Sequence, residues 1–327
     1  MPGSSRLRSR LQALLLVVGL TIVGYFVWRT GPEQVLAALE AAGRFVPLLA
    51  LFELLVVLTD VAAFAALLGE DRKAVSRRGW VRSSALSYGC LILLPAGRTA
   101  SEAARASVVA RYVGGMRAAT AGAQLQASAL AATGFMSGVA ALVVFAFVDP
   151  ARGLGGMLAG NSAFVAASGV LLLVLVRHRG LARRLAQRFP KIFTRFAAGE
   201  GRPHTLGVVA VAWSFLGRVL QLVQFAVAVL AVGGSFSLIR GAVAFGIHLV
   251  MSTVGVAIPN QVGVADGAYV LFAEPLGFGA TPARALAVML AVRATQIPLA
   301  LACFLIPALL RERAEETGGP DPAGPAP

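Results

Sequence analysis

The chain has 327 residues, of which 57% are apolar and only 13% are charged, and its mean hydropathy is +0.78. A soluble domain of average composition is about 45–50% apolar and about 25% charged. The composition therefore indicates an integral membrane protein and excludes a soluble enzyme, a secreted disulfide scaffold and a disordered protein. The two cysteines, Cys90 and Cys303, stand singly in apolar stretches, which excludes zinc-finger and CxxC redox arrangements.

The net charge of +14 comes mostly from short basic stretches that flank the apolar segments. Short basic loops beside membrane spans mark the cytoplasmic side, and they attract anionic lipid head groups. We therefore expect membrane lipids as partners and no nucleic acid. The basic stretches lie at residues 6–10, 72–82, 98–117, 177–202 and 311–313.

Apolar runs long enough to cross a bilayer, which takes about 20 residues, recur along the chain. They predict six spans, at residues 11–28, 45–69, 118–148, 157–176, 206–232 and 281–310. We interpret the first as a retained anchor rather than a signal peptide, because no small-x-small cleavage site follows it. After it, residues 32–42 predict an amphipathic helix at the outer surface, with Val35, Leu36 and Leu39 on its apolar face.

Two further apolar stretches fit a full span poorly. Residues 85–94 are too few to cross before Pro95, and residues 242–258 are marginal, carry His248 and end at Pro259. If both crossed, the basic stretch at 72–82 would face outward, against the charge rule. We therefore predict an all-α integral membrane protein of the cell membrane, with six full transmembrane helices, two re-entrant hairpins and both termini in the cytoplasm.

The two predicted hairpins resemble each other, which indicates an internal repeat. Pro95 is followed seven residues later by Glu102, and Pro259, 164 residues further on, is followed seven residues later by Asp266. Three crossings separate the hairpins, so the second copy is predicted to be inverted, as in many transporters. The chain thus divides into a basic N-terminus at 1–10, one membrane domain at 11–310 with repeat halves at 45–148 and 206–310, a basic cytoplasmic loop at 177–204, and a disordered tail at 311–327.

The hairpin motifs resemble those of the transmembrane domain of lysylphosphatidylglycerol synthases, a family that includes stand-alone flippase-like proteins. The family pattern P-G-R-x-G-E-x-x-R is matched from residue 95 by PAGRTASEAAR, and P-G-G-x-G-x-x-E is matched from residue 259 by PNQVGVAD. Arg293 stands where the last helix of the family usually carries an arginine. The resemblance covers residues 11–310 and implies a lipid-translocating domain.

Three departures accompany the resemblance. The Glu-Arg pair that the family often carries after the first motif is replaced by the uncharged residues 124–128, and the double glycine of the second motif is replaced by Asn260 and Gln261. The first departure bears on substrate identity and the second on local backbone geometry. No aminoacyl-transferase domain follows Leu310, so we expect the stand-alone form, which cannot synthesise lysyl-lipid by itself.

Charged residues inside spans are costly and usually functional. Glu53 and Asp60, seven residues apart on one face of the second span, are predicted to titrate or to form ion pairs. A polar stripe around Arg218 includes Gln221 and Gln224, and Arg293 is followed by Gln296. The alternative interpretation is a set of buried structural ion pairs. The predicted substrate-binding residues are Arg98, Glu102, Arg105, Arg218, Asn260, Gln261, Asp266 and Arg293.

These features favour a flippase-like transporter that moves a phosphate-bearing lipid between leaflets. The alternative is an integral-membrane enzyme or accessory subunit that acts on a lipid-linked substrate, with Glu102 or Asp266 as a base; a scaffold is a third possibility. The sequence carries no metal-ligand motif and no P-loop, so we expect no catalysis, no metal and no cofactor. A separately encoded lipid-modifying enzyme is a further expected partner. The head group, the energy source and the oligomeric state stay open at this stage.

Overall fold

The computed structural model describes residues 21–148, 152–177, 187, 207–279 and 281–309. Over these residues the chain forms eleven α-helices and no strand, which confirms the predicted all-α class. Most of the first predicted span, the basic N-terminus, most of the loop at 177–204 and the tail at 311–327 lie outside the described residues.

The helices follow one another with short connections. Residues 21–30 are helical (α1), and the others are α2 (Pro32–Gly43), α3 (Val46–Leu68), α4 (Arg77–Leu93), α5 (Gly97–Val113), α6 (Gly115–Phe147), α7 (Arg152–Arg177), α8 (Val208–Ala231), α9 (Leu238–Val254), α10 (Val264–Leu271) and α11 (Pro282–Leu309). Two 3-10 turns occur, at Gly69–Ala74 and Pro259–Gln261.

Five helices in the described part of the chain are long and apolar enough to cross a membrane. The apolar segments lie at Val46–Ala74, Gly115–Phe147, Gly153–Leu172, Val208–Ala231 and Pro282–Ile306. They correspond to the last five predicted spans. The protein is therefore a multi-pass integral membrane protein.

Helices α4 and α5 form the first helical hairpin. The Ser76 and Tyr112 hydroxyls lie 3.1 Å apart at its open end, and the Ser87 and Ser101 hydroxyls lie 2.6 Å apart nearer the connecting loop. Because the earlier residue of α4 contacts the later residue of α5, the two helices are antiparallel. The short apolar stretch at 85–94 is thus the second half of α4.

Helices α9 and α10 form the second hairpin, with a longer loop at residues 255–263. The Tyr269 hydroxyl of α10 donates a hydrogen bond to the Ala244 carbonyl of α9 at 2.8 Å. The loops of the two hairpins meet, because the Ala96 N–H donates to the Val256 carbonyl at 3.0 Å.

The antiparallel packing of α3 against α8 shows which end of the bundle each hairpin starts from. Gln224, near the end of α8, donates to the Leu49 carbonyl, near the start of α3. At the opposite end, Arg117 donates to the carbonyls of Leu67 and Leu68 at the end of α3, beside the open end of the first hairpin. The second hairpin opens where α8 ends. The two hairpins therefore extend from opposite ends of the bundle.

The helices of the two halves also contact one another in corresponding pairs. If α4, α5 and α6 of the first half correspond to α9, α10 and α11 of the second, each contact between helices recurs. The first helix of each hairpin packs on the long helix of the other half, as α4 does on α11 and α9 does on α6. The second helix of each hairpin packs on the long helix that follows it, as α5 does on α6 and α10 does on α11. Likewise, α3 packs on α11 as α8 packs on α6.

Helix α2 packs on the rest of the bundle through one side. Val35, Ala38 and Ala42 are buried and Leu39 is partly buried, whereas Leu36 is exposed. A spacing of three and four residues places the first four side chains on one side of the helix. That side faces α11, and Leu36, predicted on the apolar face with Val35 and Leu39, is left exposed beside it.

Candidate functional site

The backbone of the two hairpin loops is unusual. Within the described residues, three residues other than glycine have a positive φ, and all three lie in these loops: Ala96 at 50°, Asn260 at 45° and Gln261 at 53°. Such conformations cost about 1–3 kcal/mol each and persist where the surroundings enforce them, often at functional sites. The place where the hairpins meet is therefore the strained part of the backbone.

A cavity of about 460 Å³ lies beside the meeting loops and is also walled by α3, α6, α7 and α8. Seven of the ten site residues predicted from the sequence line it: Glu53, Asp60, Arg98, Arg105, Arg218, Asn260 and Gln261. Helices α3 and α8 contribute side chains from inside their spans, and the hairpins contribute side chains from near their loops. The other three predicted residues, Glu102, Asp266 and Arg293, lie outside the cavity lining.

Two arginines of α5 converge on Asp60 of α3. The Arg98 guanidinium lies 3.3 Å from the Asp60 carboxylate through Nη1 and donates to Gln126 through Nε at 3.2 Å. Arg105 donates to the Asp60 carbonyl at 3.0 Å and to the Ser87 hydroxyl from Nε and Nη2 at 3.2 and 2.9 Å. Their seven-residue spacing on one helix brings both arginines to the same carboxylate-bearing turn of α3.

Arg218 adds a third positive charge to the same cavity. Its Nη1 donates to Gln221 Oε1, one turn further along α8, at 2.5 Å. No acidic group in the described part of the chain forms an ion pair with it. The cavity lining thus contains three arginines and two acids, Glu53 and Asp60, so its arginines outnumber its acids by one. Nη2 of Arg98 is also buried without a hydrogen-bond partner.

Glu53 joins four helices at the cavity wall. Its carboxyl oxygens accept hydrogen bonds from Tyr88 of α4 at 3.0 Å, Gln224 of α8 at 2.9 Å and Gln296 of α11 at 3.2 Å. The side chain is only 3% exposed, and all three donors are uncharged. The polar positions seen in the apolar spans of α8 and α11 thus meet at one carboxyl group.

Asp266 and Arg293 form a buried ion pair behind the second loop. Arg293 Nη1 lies 2.5 and 2.6 Å from the two Asp266 oxygens, and Nη2 donates to the Asn260 carbonyl at 3.0 Å. Asp266 also accepts the Gly263 N–H at 2.7 Å, where α10 begins. The pair thus ties α10, α11 and the strained loop together, as the structural ion-pair interpretation expects, and it does not face the cavity.

Sequence reasoning missed several residues of the cavity wall. Ser87 and Tyr88, from the stretch at 85–94 that was considered chiefly for its apolar length, line the cavity together with Ser84 just before it. Their spacing of three and four residues was the available signal. Gln126 comes from the uncharged segment after the first motif, yet it binds Arg98. His248 also lines the cavity, with its ring 5.0 Å from that of Phe225.

The fold and this site define a polytopic α-helical membrane protein with a charged internal cavity between two helical hairpins. The family described as the lysylphosphatidylglycerol synthase TM region matches residues 12–303, and the chain belongs to this family. The match spans both hairpins and the whole cavity lining, and it confirms the family that the two hairpin motifs suggested. Comparisons with curated proteins and with solved structures return no match.

Proposed function

We propose that this protein moves a lipid with a phosphate-bearing head group between the two leaflets of the cell membrane, without converting it chemically. Membership of a family of lipid-associated membrane domains supports an action on lipids. The observation that carries the proposal is the convergence of Arg98 and Arg105 on Asp60, with Arg218 at the wall of the same internal cavity.

The arginine cluster has the chemistry to hold a phosphate group. A guanidinium grips phosphate through paired, charge-assisted hydrogen bonds. Nη2 of Arg98 has no partner within the described residues, and Arg218 has only the neutral Gln221, so donors remain for a ligand. Asp60 contacts the Arg98 guanidinium at a single distance of 3.3 Å. An entering phosphate would therefore share Arg98 with Asp60.

The cavity also reaches the outer face of the helical bundle, where the acyl chains of a lipid would lie. Phe164 of α7 and Val256 of the second loop both line the cavity, yet they are 63% and 56% exposed. An amphiphile could therefore place its head group among the arginines and leave its tails in the bilayer. This arrangement favours a lipid over a water-soluble phosphate.

The hairpins would provide access from alternate sides. They extend from opposite ends of the bundle, their loops meet at a single backbone hydrogen bond, and the helices of the halves pack in corresponding pairs. These contacts support the inverted repeat of re-entrant hairpins that we propose, an architecture in which one half rocks against the other around a central site. The basic segment at 72–82 lies at the open end of the first hairpin, so we propose that this end is cytoplasmic.

The proposal is tested by reconstituting the protein into liposomes that contain fluorescent phosphatidylglycerol and by measuring how fast a membrane-impermeant reductant bleaches the inner-leaflet label. Arg218→Gln should slow translocation about tenfold or more, because hydrogen bonds to charged groups contribute about 1.5–3 kcal/mol. Arg44→Gln, an exposed arginine on the linker before α3 and outside the cavity, should leave the rate unchanged.

Two outcomes would overturn the proposal. The wild-type protein could fail to move phosphatidylglycerol faster than empty liposomes do, or Arg218→Gln could transport at the wild-type rate. Mass spectrometry of the recovered lipid should find it unaltered. A modified lipid would instead support the enzyme alternative.

A further inference from the structure

Glu102 is a buried carboxyl group with no hydrogen-bond partner in the described part of the chain. The residue is 9% exposed, and both of its carboxyl oxygens are buried and without a donor. It lies on α5 against α6, where a Cβ placed on Gly122 would be 3.8 Å from Oε2. A buried carboxylate without hydrogen bonds is costly, so this site departs from the usual rule.

The other three acids that the sequence places inside the bundle are all satisfied. Asp60 binds Arg98, Glu53 accepts three hydrogen bonds, and Asp266 binds Arg293 and the N–H of Gly263. Asp266 is the counterpart of Glu102, since each acid follows its hairpin proline by seven residues. Its cation, Arg293, comes 27 residues later, whereas the residue at the same distance from Glu102 is Ala129. Glu102 therefore lacks the partner that its counterpart has.

The charge that compensates Glu102 comes from the arginines of the proposed phosphate site. Arg98 lies four residues before it and Arg105 three residues after it, so all three share one face of α5. Neither arginine forms an ion pair with Glu102, but both attract its carboxylate through space, and Asp60 of α3 repels it. From α4 and α6, the uncharged Ser87 and Gln126 bind Arg105 and Arg98.

Of the other charges next to α5, Arg77, Arg78 and Arg82 of α4 lie further toward the open end of the first hairpin than Ser87 does. In the 3-10 turn that packs against α5, Lys73 pairs with Glu70 and Asp71 pairs with Arg117 of α6. Burial opposes the ionised form of Glu102, whereas the positive charges of Arg105 and Arg98 favour it. Anything that neutralises these two arginines removes that attraction and favours the neutral carboxylic acid.

We propose that Glu102 is a proton-binding site linked to the arginine cluster, so that binding of a lipid phosphate is accompanied by uptake of a proton. This inference rests on the proposed phosphate site. The phosphate brings a negative charge close to Arg98 and Arg105, and the Glu102 carboxylate then takes a proton from water to become a neutral carboxylic acid. Linkage is reciprocal, so protonation of Glu102 must strengthen phosphate binding by the same factor. The protein would thus move its lipid together with a proton.

The test uses the full-length protein in detergent micelles and short-chain phosphatidylglycerol as the probe. Isothermal titration in two buffers of different ionisation enthalpy, at the same pH, gives the number of protons taken up per lipid. The wild-type protein should take up a proton fraction of up to about one. Glu102→Gln, a neutral mimic of the protonated acid, should bind the lipid with no proton uptake and with an affinity that no longer depends on pH. Glu274→Gln, an exposed control outside the cavity, should behave as the wild type does.

Infrared difference spectroscopy supplies a second readout. A carboxylic acid C=O band should appear when lipid is added to the wild-type protein and should be missing in Glu102→Gln. Lipid binding without proton uptake in the wild type would overturn this inference alone, as would uptake that survives Glu102→Gln or that disappears only in Asp60→Asn. Absence of lipid binding in the wild type would overturn the phosphate site itself, and this inference with it.

Discussion

The charged residues inside the helical bundle have different roles, although they look alike in the sequence. An arginine within an apolar stretch is easily identified as a candidate functional residue, because burying its charge is costly. Which acid it meets depends on how distant helices pack, and that was not visible from spacing. Arg98 and Arg105 meet at Asp60 beside the cavity, whereas Arg293 is committed to Asp266. Of the eight residues predicted as one substrate-binding set, five line the cavity, Asp266 and Arg293 form a buried ion pair, and Glu102 belongs to neither group.

The separation predicts that Arg293 serves stability. Arg293→Met should lower the free energy of unfolding by about 3–5 kcal/mol, because it leaves Asp266 buried and unpaired. The change would appear as a lower midpoint of thermal unfolding in detergent. Arg284→Met, on the same helix but exposed, should leave the midpoint unchanged.

A double variant provides the internal check. Replacing Asp266 by Leu together with Arg293→Met leaves no unpaired charge and should recover part of the lost stability. If Arg293→Met unfolds at the wild-type temperature yet abolishes lipid transport, Arg293 belongs with the lipid-binding residues after all.

The helices that could be predicted from the sequence are those that length and hydropathy identify as membrane spans. The spans at α3, α6, α7, α8 and α11 follow from apolar runs of sufficient length, and the glycine and proline breaks mark the hairpin loops. The polar face of each helix was harder to assign, since an apolar helix presents nearly the same side chains all round. On α3, Val56 lines the cavity together with Glu53 and Asp60, which hydrophobicity alone does not reveal.

The faces of α3 can be mapped by cysteine reactivity after Cys90 and Cys303 have been replaced by alanine. Asp60→Cys should react with a small water-soluble thiol reagent, because Asp60 lines the cavity. Leu58→Cys should be inert in liposomes, because Leu58 is 60% exposed on the outer face of the bundle, where lipid would cover it. Reactivity is followed by mass spectrometry of the labelled protein. Inertness at both positions would mean that the cavity is dry and that Asp60 is only an ion-pair partner.

At the scale of the whole molecule, charge and parity predict an inverted pair of hairpins, and the way in which their loops meet depends on contacts that no local pattern encodes. Counting three crossings between two similar motifs is enough to predict opposite orientations. The meeting of the loops at Ala96 and Val256 depends on strained backbone at residues that are not glycine. Asn260 and Gln261 adopt a positive φ that glycine would adopt without strain, so this loop is held at a conformational cost.

The proposed re-entry of both hairpins makes one further prediction, about sidedness. Arg77 at the open end of the first hairpin and Glu274 after α10 are both exposed and belong to opposite ends of the bundle. In cells, Arg77→Cys and Arg184→Cys, which lies in the basic loop outside the described residues, should be labelled by an impermeant thiol reagent only after the membrane is opened. Glu274→Cys should be labelled in intact cells, because the positive-inside rule keeps the basic segments in the cytoplasm. If Arg77→Cys and Arg184→Cys were labelled from opposite sides, the first hairpin would have to cross the membrane instead of returning. The two hairpins could then no longer provide access to one cavity from opposite sides of the membrane.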